Sequence, residues 1–456
     1  MKYRIMLLSF TLVCGSVHAL NVRDALASAY KNNQELLEVR QKVIASHEKI
    51  VQAKGGFRPT IQAQAASTFI KSRTKSDADS LHRSGLQKDN KGSVTVSQNL
   101  FRGFTDVAKV SQAEHEIQSL WAQLKDKEQD VFIKVIRAYL ELYAKYAAVE
   151  VHKANVVSMQ KNYETASTKR SIGEETLTQE SAAEAQYADA QSRLESALAD
   201  LEGAKATFEQ LTGTISPEYV EHPTELIDIP GSIEVLQDVA LKDNPKITQA
   251  IEDLASSKQS KKAYTGQLLP SVDLQASSTR DINQNKTSIN SLNYHGPNPK
   301  VTQVNNQLAV TLTVPLYDAG ITRSQRRQAG ENVVTSRITF EKVRKEIIQA
   351  CRQVYRAYLA AKTNMDNSIK QVKAQQVAVD GNMQEMEVGT KILFDVLQAQ
   401  TKLLEAKLNQ IGTIQKYYEN LYIMLSLQGK LTAEGLGLPV EIFHIEQNYE
   451  NIKNHI

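Results

Sequence analysis

Apolar residues recur at Val110, Ala113, Ile117, Leu120, Leu124, Val131, Val135, Ala138 and Leu142, in steps of three and four with a single seven. That spacing draws one apolar seam along a helix of the coiled-coil kind. No glycine or proline interrupts Phe104 to Ile172, so the spacing predicts one helix of about 100 Å. The seam returns at Val343, Ile347, Ala350, Val354, Ala357 and Ala361, inside a stretch from Leu316 to Leu438 that contains no proline.

Four short segments break this rhythm and alternate with a period of two, as strands with unlike faces do. They are 60–70, with Ile61, Ala63, Ala65 and Phe69 on one face; 93–101, with Val94, Val96 and Leu100; 271–280, with Val272, Leu274 and Ala276; and 307–317, with Leu308, Val310, Leu312, Val314 and Leu316. Polar stretches, 71–92 and 281–306, are predicted as the loops between the members of each pair.

The chain is written twice. Lys31-Asn32-Asn33-Gln34 matches Lys242-Asp243-Asn244-Pro245, and Arg58-Pro59-Thr60 matches Leu269-Pro270-Ser271, both 211 positions on. Farther along the offset is 216: Val96 to Phe101 matches Leu312 to Tyr317, Gly173 matches Gly389, and Leu211-Thr212-Gly213 matches Leu427-Gln428-Gly429. Preserved order of the matches marks a tandem repeat. The expected organisation is a first repeat over 20–214, a linker over 215–232 holding Pro217, Pro223 and Pro230, a second repeat over 233–440, and a tail over 441–456.

Lys2 and Arg4, the apolar run Ile5 to Val13 and the small-residue ending Val17-His18-Ala19 read as a secretory signal peptide over 1–19. Beyond it no apolar stretch is long enough for a membrane-spanning helix. With 54 basic and 51 acidic residues and no block of one sign, nothing points to nucleic acid. Of the two cysteines only Cys351 follows the signal, so no intrachain disulfide is expected, and Cys351 reads as a buried structural thiol.

Strands of this length fit a tilted crossing of a bilayer or a soluble sheet with one wet face. In lipid, four strands leave open edges that the hydrocarbon does not tolerate, so a spanning sheet has to be completed by further copies, three of which give a barrel of twelve strands. Phe57, Phe101, Phe104 and Tyr317 fall where strands meet helices; they suit an interfacial girdle or ordinary strand-end packing.

The residues resemble the TolC-like outer-membrane efflux protein family of Gram-negative bacteria over nearly the whole mature chain. The resemblance rests on the repeat, on Asn244-Pro245 and Leu269-Pro270, on Pro315-Leu316-Tyr317-Asp318 with Gly320, and on Val388-Gly389-Thr390 followed by Asp395-Val396-Leu397-Gln398-Ala399-Gln400. It implies a mainly α fold with β: a homotrimer whose long α-helical coiled-coil barrel continues into a 12-stranded transmembrane β-barrel, four strands per chain, in the cell outer membrane with its helical tunnel in the periplasm. The implied function is a passive exit channel of tripartite efflux or type I secretion. Implied partners are a periplasmic adaptor, an inner-membrane transporter of the ABC or proton-driven kind, and outer-membrane lipid.

By the same resemblance the hairpin tips lie at Ser171 to Leu177 and Glu387 to Leu393, with Gly173 and Gly389 at their turns, and form the periplasmic aperture. Asp395 is the candidate for a pore-facing carboxylate ring, though a carboxylate in the first turn of a helix is also stabilised by the helix dipole. Gln398 stands where the family carries a second acid. Lys391 occupies the family's basic position opposite Thr178 and Gln179, and Gln179 replaces an aspartate, so a closing contact is expected to be a hydrogen bond instead of an ion pair.

No metal-ligand set, phosphate loop or nucleophile motif is found, so neither a cofactor nor an enzyme is expected. Glu114-His115-Glu116 reads as a solvated helix face. The competing function is a periplasmic coiled-coil scaffold or adaptor without a pore, which would need no alternating strand pairs.

Overall fold

The computed structural model describes residues 21–75, 82–217, 219–222, 229–289, 294–295 and 300–454. The expected signal peptide over 1–19 and part of the 215–232 linker lie outside them. Helices α1 (Val22–Asn32) and α2 (Gln34–Lys54) are followed by strands β1 (Thr60–Lys75) and β2 (His82–Arg102) and helices α3 (Thr105–Ser171) and α4 (Leu177–Thr212). The same order returns as α5 (Ile233–Asp243), α6 (Pro245–Gly266), β3 (Ser271–Ile289), the two-residue β4 (Tyr294–His295), β5 (Lys300–Thr313), α7 (Ile321–Glu387) and α8 (Leu393–Leu427), and α9 (Ile445–Asn454) closes the chain. Helices α3 and α7 each run for 67 residues.

The chain forms two compact units, each drawing on both repeats. One comprises 1–41, 123–247 and 343–443 and is helical. Its core includes the seam positions Val131, Val135, Ala138 and Leu142 together with Phe132, Tyr139 and Phe208, all buried. The periodicity is the cause of this burial, since a three-four spacing keeps the apolar residues on one side of the helix. Cys351 is fully buried as expected, and burial pushes its thiol up to about 11.

A detail of this unit occurs twice and explains the repeated asparagines. Asn33 Oδ1 accepts from the Leu36 N–H (3.3 Å) while its Nδ2 donates to the Leu211 carbonyl (2.9 Å). Asn244 Oδ1 accepts from the Lys246 N–H (3.0 Å) while its Nδ2 donates to the Leu427 carbonyl (3.0 Å). In each repeat one side chain thus caps the start of a helix and satisfies a carbonyl in the last turn of another. The chain then turns at Gly213 and Gly429, both left-handed (φ 68° and 72°); a Cβ on Gly429 would lie 2.2 Å from the Asp243 carbonyl oxygen.

The second unit comprises 42–122, 248–342 and 444–456 and holds the sheet. Strands β1, β2, β3 and β5 pair antiparallel in that order. Ile61 lies opposite Val96, Val96 opposite Ala276, and Ala276 opposite Leu308, so the alternating apolar residues of all four strands share one face.

Three expectations are corrected here. The strands are longer than the alternating segments, at 16, 21, 19 and 14 residues, and pairing continues from Lys71 to Lys75 against Leu86 to His82, and from Asp281 to Gln284 against Gln303 to Lys300. Most of the stretches expected to be loops are therefore ladder. Apolar residues there are isolated, Leu86, Ile282 and Val301 among polar neighbours, so no hydrophobic alternation marks them. Strand β5 ends at Thr313, short of Tyr317, because Pro315 has no N–H to give a ladder. Finally, the β2–β3 register shifts between Asn99 and Phe101, and the bulge puts Phe101, in place of Leu100, opposite Val272.

Helices of this unit are joined by polar links. His115 Nδ1 lies 2.7 Å from Glu252 Oε2, Ser119 donates to Asp253 (2.6 Å), and Lys49 pairs with Glu116 (2.8 Å). His115 and Glu116 are therefore contacts of α3 with α6 and α2, a correction to the solvated face expected of that motif. Adjacent helical residues do point different ways, and here each direction holds a neighbouring helix.

Candidate functional site

Two places carry the residues singled out by the sequence. The first is the sheet. Its apolar face is open to the surroundings along Ile61, Val94, Leu308, Val310 and Leu312. Its other face carries Gln62, Gln64, Thr95, Ser277, Asn305 and Gln307, by alternation along the same ladder. Among the described residues β1 and β5 are each paired along one side only, which leaves two long rows of backbone donors and acceptors at the edges.

At the helix end of the sheet, Phe57, Phe101, Phe104 and Tyr317 are all exposed. Phe101 and Phe104 meet edge to face, with centroids 5.2 Å apart. Phe104 turns the chain from β2 into α3 at a φ of 62°, and Ala319 does the same between β5 and α7 at 56°. No described helix is long and apolar enough to cross a membrane.

The second place is the pair of hairpin tips in the helical unit. Gly173 N–H donates to the Arg170 carbonyl (3.0 Å) and Glu174 N–H to Lys169 (2.9 Å). In the other hairpin Gly389 N–H donates to Met386 (3.1 Å) and Thr390 N–H to Glu385 (2.9 Å). Both glycines are left-handed, with φ of 82° and 79°. The tips are thus two copies of one turn, in which a residue without Cβ ends a long helix and reverses the chain.

Each turn leads into a capped helix. At the start of α4, Gln179 Oε1 accepts from the Thr176 N–H (3.0 Å) and hydroxyl (2.8 Å), and the Gln179 N–H donates to Thr176 Oγ1 (3.3 Å). At the start of α8, Asp395 Oδ2 accepts from the Ile392 N–H (3.4 Å). Both residues therefore serve as the third-position partner of a cap. Lys391, Thr178 and Gln398 are exposed, and among the described residues no ion pair or side-chain hydrogen bond joins Lys391 to Thr178 or Gln179.

Two features of the tips escape sequence reasoning. The Arg170 guanidinium pairs with Glu180 across the first tip, and that hydrogen bond holds the Glu180 carboxyl below its usual range. Deeper, Asn162 Nδ2 donates to Gln400 Oε1 (2.7 Å), and Gln400 Nε2 donates to Ser158 Oγ (3.1 Å). Asn162 and Gln400 are buried in this link between α3 and α8. Nearby, Met159, Ala166, Ala183, Ala190, Leu393 and Leu397 form an apolar cluster. Only the polarity of Gln400 within an apolar run hinted at the link. Among the described residues no group of His, Cys, Asp or Glu is arranged to hold a metal.

The model of the outer membrane efflux protein family matches residues 25–214 and 236–426, one stretch in each copy of the repeat. The chain belongs to the outer membrane efflux protein family. Among its relatives, the outer membrane efflux protein BepC of Brucella suis is 27% identical, over 98% of this chain and 94% of BepC. Outer membrane protein TolC of Escherichia coli is 24% identical, over 92% of this chain and 84% of TolC. The fold is shared with CusC (TM-score 0.75, 12% identity, covering 89% of this chain and 91% of CusC). It is shared equally with the CmeC outer membrane channel of Campylobacter jejuni (TM-score 0.74, 14% identity, covering 95% and 89%). This efflux family member is an outer-membrane channel protein for efflux or secretion, with its helical part in the periplasm.

Proposed function

We propose that three copies of this chain form one passive duct, in which the apolar face of the sheet meets lipid and the polar face lines the lumen. The observation that carries this reading is the sheet itself: four long strands, one apolar face open to the surroundings, and two unpaired edges. Lipid offers no partner for an edge, so β5 of one copy has to meet β1 of the next. Two copies would give eight strands, whose interior is filled by side chains; three give twelve and leave a lumen. Helix α7 supports the same reading, since it exposes Val334, Ile338, Leu359, Ile369 and Val377 in the single chain.

In this reading the two tips of each copy surround the periplasmic aperture, and Asp395 supplies one carboxylate per copy to a ring that favours cations. The cap to Ile392 fixes the side chain. Gln398 adds no second ring, and Lys391, whose side chain is in no ion pair among the described residues, meets Thr178 or Gln179 of an adjacent hairpin by hydrogen bonding. The duct performs no chemistry; a periplasmic adaptor and an inner-membrane transporter supply energy and gating. Two relatives are named for efflux and for secretion of proteases, the efflux protein BepC and the proteases secretion protein PrtF of Dickeya chrysanthemi, which supports small-molecule or protein cargo.

Planar-bilayer recording tests the duct. Purified protein should insert in discrete, cation-selective conductance steps, and Asp395→Asn should reduce the selectivity while keeping the cap, because the carboxamide oxygen of asparagine still accepts from the Ile392 N–H. Absence of conductance would refute the duct; unchanged selectivity in the variant would remove Asp395 from the aperture.

A further inference from the structure

The outward face of the sheet changes character along its length. From the helix end it is apolar, Gln98 apart, as far as the row Ile61, Val96, Ala276 and Leu308. Toward the end of the sheet away from the helices the same face carries Arg280, then Lys88 and Lys300, then Lys71 and Arg73, by strict alternation along the four strands. It carries no carboxylate over the whole span from Leu312 to Lys300. The acidic residues of the described strands, Asp89, Asp273 and Asp281, all fall on the opposite face.

The five cations whose side chains are described have no counter-charge on a face that otherwise suits hydrocarbon, and such cations are costly unless they meet an anion at the lipid boundary. Among the described residues none of the five is in an ion pair. Lys88 is steadied over the Phe69 ring, with Nζ 5.0 Å from its centroid. In front of Arg280 the side chains are small: Ala65, Ser67, Asn90 and Gly92, with Ile282, line a shallow groove of about 510 Å³ with it. A Cβ on Gly92 would meet nothing within 4 Å. Asn90 Oδ1 accepts from Ser67 (2.7 Å), which leaves its amide N–H groups to donate.

We propose that this groove, with Arg280 in its wall and Asn90 as a neutral donor, together with Lys88 beyond it on the same face, binds the phosphate of an anionic lipid of the outer leaflet, its acyl chains lying along the apolar rows below. Strand rows two residues apart are separated by about 6.6–6.8 Å. Arg280 lies opposite Gly92, four residues from Lys88, so the two cations are two such rows, about 13 Å, apart along the strands, and a headgroup with two phosphates spans them while one with a single phosphate engages one. The long side chains reach up to the headgroups while their stems cover the apolar surface. The inference rests on the lipid-facing assignment of this face made above.

The test is native mass spectrometry of the detergent-solubilised channel titrated with diphosphorylated lipid A, its monophosphorylated form and phosphatidylcholine. Expected are lipid A adducts at the lowest concentration, weaker monophosphorylated ones, and a loss of about tenfold or more in lipid A affinity for Arg280→Gln with Lys88→Gln. Inorganic phosphate at the same concentration should fail to compete, since it lacks the acyl chains. Equal binding by parent and variant, equal binding of phosphatidylcholine, or displacement by inorganic phosphate would each overturn the proposal. Planar-bilayer conductance of the variant separates the readings: a conducting variant with unaltered lipid A binding refutes the lipid site alone, whereas a parent that fails to conduct refutes the duct.

Discussion

Asn33 and Asn244 show how a single side chain ties the end of one helix to the start of another in each repeat. Each is buried and makes one bond as donor and one as acceptor. Asn244→Ala should cost about 1–3 kcal/mol, the usual penalty for stranding buried polar groups, and Asn244→Asp should recover the acceptor bond alone. Thermal or denaturant unfolding of the purified protein checks this; equal midpoints for parent and Ala variant would contradict it. The sequence made the asparagines visible through the duplicated motif, but their partners lie some 180 residues away and left no local trace. Glu35 is a second case. Lys127 and Lys134 hold its carboxyl down from 4.5 to about 2. A depressed carboxylate adds stability above pH 4.5 that is lost as pH falls toward 2. Because the side chain is well exposed, the effect should be small and screened by salt. Glu35→Gln should remove the salt-sensitive part of the acid transition between those limits, and an identical acid titration for the variant would show that the two lysines contribute nothing.

Among the elements, the long helices were legible because a seam repeated over many turns is hard to mistake, and their burial follows it through α3. The strands were legible only where one face is apolar. Their polar ends, paired from Lys71 to Lys75 and from Asp281 to Gln284, carry no alternation and looked like loops. The tips were legible as glycines at matched positions, but the Arg170–Glu180 pair and the Asn162–Gln400–Ser158 link depend on which helices pack together, which no local pattern reports. The glycine turns make a prediction at this scale. A Cβ in the left-handed region costs roughly 1–2 kcal/mol, so Gly389→Ala and Gly173→Ala should each loosen their own tip. Hydrogen exchange should quicken at the amides of Thr390 and Glu174 respectively and stay unchanged in the sheet. Unaltered exchange at the tips would mean that the turns tolerate a side chain.

For the whole molecule, the unsatisfied features of the single chain all concern contacts with something else. Among the described residues the sheet has an apolar face without a cover, two edges without partners, and a cationic border without anions; α7 adds a set of exposed apolar residues. In the proposed duct further copies of the chain close the wall, and the most direct measurement is a disulfide scan between the edges. Single cysteines on β1 at Ile61, Ala63 or Ala65 are combined in the same chain with single cysteines on β5 at Leu308, Val310 or Leu312, and oxidised in the outer membrane. The account predicts that a pair in register links chains covalently into closed trimers and nothing larger. Chains that stay single at every pair, with the protein folded and membrane-bound, would contradict it.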